Sequence, residues 1–381
     1  DKRLLMTMPN TVDDRIVIVD INEASLTAEG RWPWGRDKLA EFVELLFEEY
    51  EIAIVGFDIV FAEPDERSGL KVLEQLADTE LKDNPMFRAQ LQALRPELDY
   101  DGRFAETIQK YPVVLGYYFN FPDGGEQSSE IGVLPAPTFA KGTFRGKRIA
   151  FHEADGYGSN IQQLKSSALG SGHFNPVSDL DGVIRRIPML VKFDGAYYAS
   201  LSLEIARHLL GSYEIKAQFE KPLSGGGGYS GLEWLEVGGE LVPVDGRLQT
   251  LIPYRGYKGS FPYVSATDVL HRMADKSILK GAIVLVGTTA PGLWDSRSTP
   301  VAEVYPGVEV HANLIGGMID GAIKQLPEYT VGAEVLLLLV FGLVMAIVVS
   351  MLSPLAATVV TAGLLLLFTG FNLFVWTSVN F

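Results

Sequence analysis

Two long uncharged runs close the sequence, residues 335–352 (VLLLLVFGLVMAIVVSML) and 355–376 (LAATVVTAGLLLLFTGFNLFVW). Each has the ~18–22 residues that cross a hydrocarbon core of about 30 Å as a helix. The alternative is a pair of buried core helices in a soluble protein, but core helices of that size rarely lack polar residues all round. Ser353-Pro354 separates them. Proline lacks the amide hydrogen that a helix interior needs, so it stops one helix and suits the first turn of the next. The sequence therefore predicts transmembrane helices over 331–352 and 355–376, a hairpin that returns the chain to the side it entered from. Their connection holds no Lys or Arg, so the positive-inside rule gives no orientation. Glu334, at the head of the first span, is read as an interfacial carboxylate or an interhelical contact, and with Pro354 it forms the candidate relay pair.

Charge is partitioned in the same way. Beyond Tyr329 the only charged residue is Glu334, so of the formal −15 all but one unit, −14, belongs to residues 1–330. Such a domain repels phosphate backbones and anionic headgroups, which argues against nucleic acid and against peripheral lipid binding. Divalent cations and cationic solutes stay acceptable. The absence of cysteine removes disulfides, thiolate metal sites and cysteine nucleophiles together.

The 381 residues exceed the roughly 100–200 of one ordinary domain. Asp14–Asp20 (DRIVIVD), Ile52–Phe61, Tyr111–Phe119, Ile184–Val191, Leu248–Tyr254 and Gly281–Gly287 (GAIVLVG) read as strands, several of them buried on both faces. Asp37–Tyr50, Ser200–Leu210, Ser265–Arg272 and Val310–Gly321 read as helices. The first strand, helix and second strand make a βαβ unit, which implies parallel pairing. Residues 122–170 read as an irregular excursion, and Ser224–Gly231 as a flexible loop. The fold class expected is α/β: a mixed, largely parallel sheet flanked by helices, followed by the membrane hairpin.

In open parallel sheets, ligands bind beyond the carboxyl ends of the strands. Asp20, Asp58 and Asp295 fall at such ends, and three carboxylates suit a hard divalent cation. Trp34, Arg36 and Thr288 lie in the adjoining loops and complete the candidate ligand-binding set. The alternative is that Asp20 and Asp58 cap loops or pair with Arg15, Arg36 or Arg297. Gly287–Asp295 (GTTAPGLWD) lacks the Gly-Lys-Ser/Thr ending of a phosphate loop, and Pro291 removes a donor. The histidines, among them His208 on an amphipathic helix and His311 near a helix start, have no metal-ligand spacing. With no Gly-x-Ser-x-Gly elbow either, no catalytic residue is assigned.

Several blocks together resemble a known family: DRIVIVDINEASL (14–26), GRWPWGR (30–36), IVGFDIVFAEPD (54–65), DLDGVIRRIPML (179–190), YYASLSLEIAR (197–207), KGAIVLVGTTAPGLWDSRSTP (280–300) and YPGVEVHANLIGGMIDG (305–321). In this order they look like the second type of CHASE domain, a sensory extracellular module associated with cyclases and histidine kinases. The resemblance implies a lead-in over 1–11 after an upstream transmembrane helix, a periplasmic sensor over 12–330, three further helices and a cytoplasmic output. Only two of those three helices, and no output, are written in these residues. The implied output is a class III adenylate or guanylate cyclase making cyclic nucleotide with Mg or Mn. A homodimer in the bacterial inner membrane follows, answering to a small-molecule, ion or protein signal. A histidine kinase, serine/threonine kinase or diguanylate cyclase output is the alternative. A membrane-anchored metal-dependent enzyme and a scaffold subunit are the remaining ones.

Overall fold

The computed structural model describes residues 1–122, 128–147, 149–212, 214–219, 232–290, 296–325 and 329–378. Ile16–Asp20 (β1), Ile54–Phe57 (β2) and Ile283–Gly287 (β6) are apolar runs without polar alternation, the pattern of strands covered on both faces. All three are buried throughout. With Val113–Asn120 (β3), Gly170–His173 (β4) and Tyr263–Ser265 (β5) they form parallel ladders in the order β5-β1-β6-β2-β3-β4. Gly156–Gly158 runs antiparallel to the far end of β3, and Glu130–Ile131 pairs beyond it. The sheet is thus mixed and largely parallel, as expected.

The expected pairing of the first two strands is corrected. β1 and β2 are parallel but not neighbours, because β6 lies between them: Ile16 faces Ile283, and Ile283 faces Ile54. A central strand must be apolar on both faces, and β6 meets that demand from the far end of the chain.

Strand residues alternate between two helical layers. Val17, Val19, Val55, Phe57 and Leu115 face the helices Arg36–Glu48 (α2) and Tyr100–Lys110 (α3), meeting Leu39, Phe42, Leu46, Phe104 and Ile108. On the opposite face Ile18, Ile54, Val114 and Leu285 meet the helices Leu201–Leu209 (α4) and Gly307–Ile319 (α5) through Leu201, Ile205, Ala312 and Ile315. The outer sides of these two helices are not solvated. Leu203, Ala206, Leu314 and Met318 bury against a separate three-stranded sheet, Ile215–Phe219, Leu232–Val237 and Glu240–Pro243.

Two strands of the main sheet carry no sequence signal. β4 reads GSGH and β5 only YVS. β4 is glycine-rich because a helix start lies on it: a Cβ at Gly172 would stand 2.5 Å from Leu201 Cα and 2.6 Å from the Ser200 carbonyl oxygen. Backbone cannot move aside as a side chain does. Gly172→Ala is therefore expected to lower stability by about 1–3 kcal/mol, read as a shifted denaturation midpoint. An unshifted midpoint would contradict the close approach. The expected strand over 184–191 divides into Arg186–Pro188 and Leu190–Phe193, which pair with different partners. Ser224–Gly231 lies outside the described residues.

The apolar end is helical over Tyr329–Ser350 (α6) and Pro354–Ser378 (α7). Pro354 opens α7, and the Ser353 carbonyl accepts the first helical bond from Ala357 N at 2.8 Å. By length and composition, Pro354–Thr377 can cross a membrane, with mean hydropathy 2.0 and none of its apolar window buried. Glu334–Ser350 is a shorter apolar stretch, with Glu334 exposed at its head. The Phe341 and Phe368 rings stand 4.7 Å apart. The end of α7 reaches the globular part beside the short helix Lys2–Thr7 (α1), where the Trp376 indole N–H donates to Thr7 Oγ1 at 2.8 Å.

Candidate functional site

The chain leaves β1 and β2 towards the α2 face and leaves β6 towards the α5 face. The carboxyl end of β6 is therefore a switch point of the kind that opens a crevice in parallel sheets. The sequence candidates at that end are engaged in holding the loops. Asp20 is buried, which pushes its carboxyl up, while Thr289 pulls it back by donating its amide at 2.9 Å and its hydroxyl at 2.5 Å. Thr288 Oγ1 donates to the Ile21 carbonyl at 3.1 Å. Residues 288 and 289 are thereby stitched onto the end of β1. Thr289 is the partner that the sequence reading missed.

Asp58 donates its amide to the Val286 carbonyl at 2.9 Å and lines a small cleft with Phe174, Arg297 and His311. Asp295 lies outside the described residues. Among the described residues, no group of three or more His, Asp or Glu side chains is placed to hold a metal ion.

Trp34 and Arg36 belong to the core beside α2. Trp34 is 2 % exposed and donates its indole N–H to the Gly30 carbonyl at 3.1 Å. Arg36 lies over the Phe61 ring and is countered by Asp101, with Nε 3.5 Å from Oδ1. Its own amide donates to Asp65 at 2.8 Å. Neither side chain is presented to a ligand at the strand ends.

A cavity of about 670 Å³ lies at the opposite pole, beneath the amino ends of the strands. α1, the segment 251–255, the end of α5 and Trp376 of α7 enclose it. Arg3, Arg185, Arg186, Arg255 and Lys324 line it, against only Asp1 and Asp320 among acidic residues. Carboxylates hold the arginines in place. Arg185 is bridged to Asp1, Asp179 and Asp181 at 2.6–2.8 Å, and Arg255 to Asp13 and Asp320 at 3.0 Å. Arg15, which also grips both Asp13 and Asp320, holds their carboxyls below the usual range chiefly through its hydrogen bonds. Sequence reasoning assigned this cluster no role. Its one signal was the adjacent pair Arg185-Arg186 in a chain with 32 basic residues against 47 acidic ones.

A largely parallel α/β sheet with a cavity that opens beside a helix of membrane-spanning length fits a membrane-tethered sensory domain. The CHASE2 domain family matches residues 1–348, and the chain belongs to that family. CHASE2 is an extracellular sensory domain of signalling receptors. No curated protein and no solved structure matched the chain.

Proposed function

We propose that this chain is the sensory input and membrane relay of a bacterial transmembrane receptor whose cytoplasmic output is a class III cyclase making cAMP. The observation that carries it is the direct join between sensor and apolar helix. Trp376 near the end of α7 is gripped by Thr7, by the Arg3 guanidinium 4.8 Å from its ring and by the Lys324 ammonium 4.7 Å from it. A shift at the lower pole of the sensor thus reaches α7 without an intervening linker. α6 and α7 form the hairpin in the inner membrane, with Glu334 at its head and Pro354 at its turn, and one further crossing leads to the output. Class III cyclases build their catalytic sites between two copies, so the receptor is a homodimer, and Mg or Mn belongs to the output. Signal transmission requires that the ligand bind one of two states better than the other.

A kinase or a diguanylate cyclase would use the same relay. A divalent cation shared by Asp20, Asp58 and Asp295 is disfavoured by Thr289, which occupies both Asp20 oxygens.

The test is nucleotide output from the full-length receptor in membranes. cAMP is expected, and deletion of residues 12–321 should abolish its regulation. Regulation that survives the deletion would end the sensor reading, and cyclic di-GMP or phosphotransfer would replace the cyclase. Trp376→Ala should change basal output at least twofold while leaving the melting of the sensor unmoved, since removing a partly exposed contact costs only about 0.5 kcal/mol. Unchanged output would show that the join does not transmit.

A further inference from the structure

We propose that the cavity beneath the strands binds the anionic headgroup of an amphiphile, a phosphate or carboxylate carried on an apolar body, and that this occupancy is what α7 senses. The inference rests on the receptor reading above and adds the class of ligand.

The lining reverses the balance of the chain. Five cationic residues meet two acidic ones there, while the whole sequence has 32 basic residues against 47 acidic. The net negative charge opposes an anionic surface at long range, but salt screens that repulsion beyond about 8 Å, so the local cations decide what enters. Among the lining residues only Asp1 and Asp320 would favour a cationic solute or a metal ion, and both are already bridged to arginines.

The arginines are also set in advance. Asp1, Asp179 and Asp181 hold Arg185 and take its Nε, Nη1 and Nη2 donors, while Asp13 and Asp320 hold Arg255 through Nη2, and the Arg255 side chain remains 23 % exposed. A guanidinium fork already fixed in orientation loses less entropy when it takes a phosphate or carboxylate. Arg186 adds a buried Nε with no hydrogen-bond partner among the described residues, since Asp245 stands 3.6 Å away. Burial at Lys324 lowers its ammonium pKa, a cost to the charged form that a bound anion would offset.

The other half of the lining is apolar, through Leu4, Leu251, Ile252, Pro253, Phe261 and Trp376. Inorganic phosphate has nothing to place against these surfaces; an acyl or alkyl body does. Tryptophan with adjacent Arg and Lys at the end of an apolar helix is also the residue set of a membrane–water interface. The amphiphile can therefore come from the bilayer or from solution, and the recognising chemistry is shared.

The experiment uses the full chain in nanodiscs of phosphatidylcholine, alone or with phosphatidylglycerol, with native mass spectrometry and Trp376 fluorescence as readouts. Trp376→Phe identifies the signal. In the pure phosphatidylcholine discs, octyl phosphate and inorganic phosphate are titrated in turn. Retained phosphatidylglycerol places the source in the membrane, and saturable octyl phosphate binding places it in solution; either supports the proposal. The pair Arg186→Gln and Lys324→Gln should weaken binding roughly tenfold or more, the usual loss for a charge-assisted contact. Ala322→Trp, at the exposed lip, should block the cavity without touching the ion pairs, and unliganded melting guards against misfolding. Binding of inorganic phosphate as tight as that of octyl phosphate, or no binding in any arm, overturns the proposal. If no arm binds while deletion of 12–321 still abolishes regulation, the ligand class is wrong and the receptor reading stands. If binding persists but regulation survives the deletion, the receptor reading is the one that fails.

Discussion

Replacing Asp101 by alanine is expected to lower the stability of the sensor by about 3–5 kcal/mol, the cost of breaking a buried ion pair by removing one partner. Arg36 and Asp101 have side chains only 9 % and 11 % exposed, with Nε 3.5 Å from Oδ1. Burial pushes the Asp101 carboxyl up and the Arg36 guanidinium down, and each opposes the change in the other. Without Asp101 the guanidinium keeps the Phe61 ring and the Glu63 carbonyl at 3.3 Å, and loses its nearest anion. The Asp65 amide loses its acceptor, Asp101 Oδ2 at 2.8 Å. Asp65 in turn accepts from the Arg36 amide at the start of α2, so both ends of the loop loosen together. Asp101→Asn keeps an acceptor and should cost less. A paired Arg36→Met, Asp101→Leu variant should recover much of the loss, because neither charge is then left buried alone. Denaturant titration of the detergent-solubilised chain checks this. A loss below about 1 kcal/mol for alanine would mean that the pair is solvated in practice.

Acid should destabilise the chain from pH 6.5 downwards, through histidines held neutral in the core. His173 of β4 and His311 of α5 are 0 % and 3 % exposed. Neither ring nitrogen of His173 has a hydrogen-bond partner among the described residues, nor does Nδ1 of His311. Burial lowers His173 to about 3 and His311 to about 4, and it lowers His152 as well. Arg297 opposes a proton on His311, and His311 and His152 oppose one on His173. The sign follows from linkage. With folded values below 6.5, the unfolded chain binds more protons in that window. The stabilisation is therefore complete above pH 6.5 and is lost as pH falls towards the folded values. Each group contributes about 1.4 kcal/mol per pH unit once fully in the window, so two give a slope of about 2–3 kcal/mol per unit. Asp20, Asp101 and Glu309, raised by burial, take up protons in the folded state and reduce the slope at its acid end. His311→Gln should remove about half of the slope. A stability that is flat between pH 6.5 and pH 5 would show that water reaches these rings.

The helices and the main strands were legible because their signal is local. DRIVIVD and GAIVLVG have a composition that only a doubly covered strand uses, and both are strands within two residues of the expected bounds. α2 and α4 showed their buried stripes at helical spacing. β4 and β5 were not legible: GSGH pairs with β3 because of what packs over it, and three residues are too few for a period. For the candidate site the reading was narrower. It located the carboxyl ends of the strands and Asp20, but Thr289, two residues past β6, satisfies that carboxylate. Trp34 and Arg36 have residue types common in binding loops, and their burial became visible only in the fold, with Trp34 packed into the core and Arg36 set against Phe61 and Asp101.

The amino-acid sequence by itself determined the parallel α/β class, the partition of charge and the apolar end, since these depend on composition and on periods a few residues long. Only the tertiary structure decided that β6 separates β1 from β2 and that Arg185, Arg186 and Arg255 gather around one cavity beside α7. Strand order and charge clustering come from contacts between residues far apart in the chain, where packing and ion pairing choose among arrangements that local sequence leaves equal in energy. The apolar end itself was plain from its composition. That its last tryptophan lies against Thr7, Arg3 and Lys324 was decided by the fold alone.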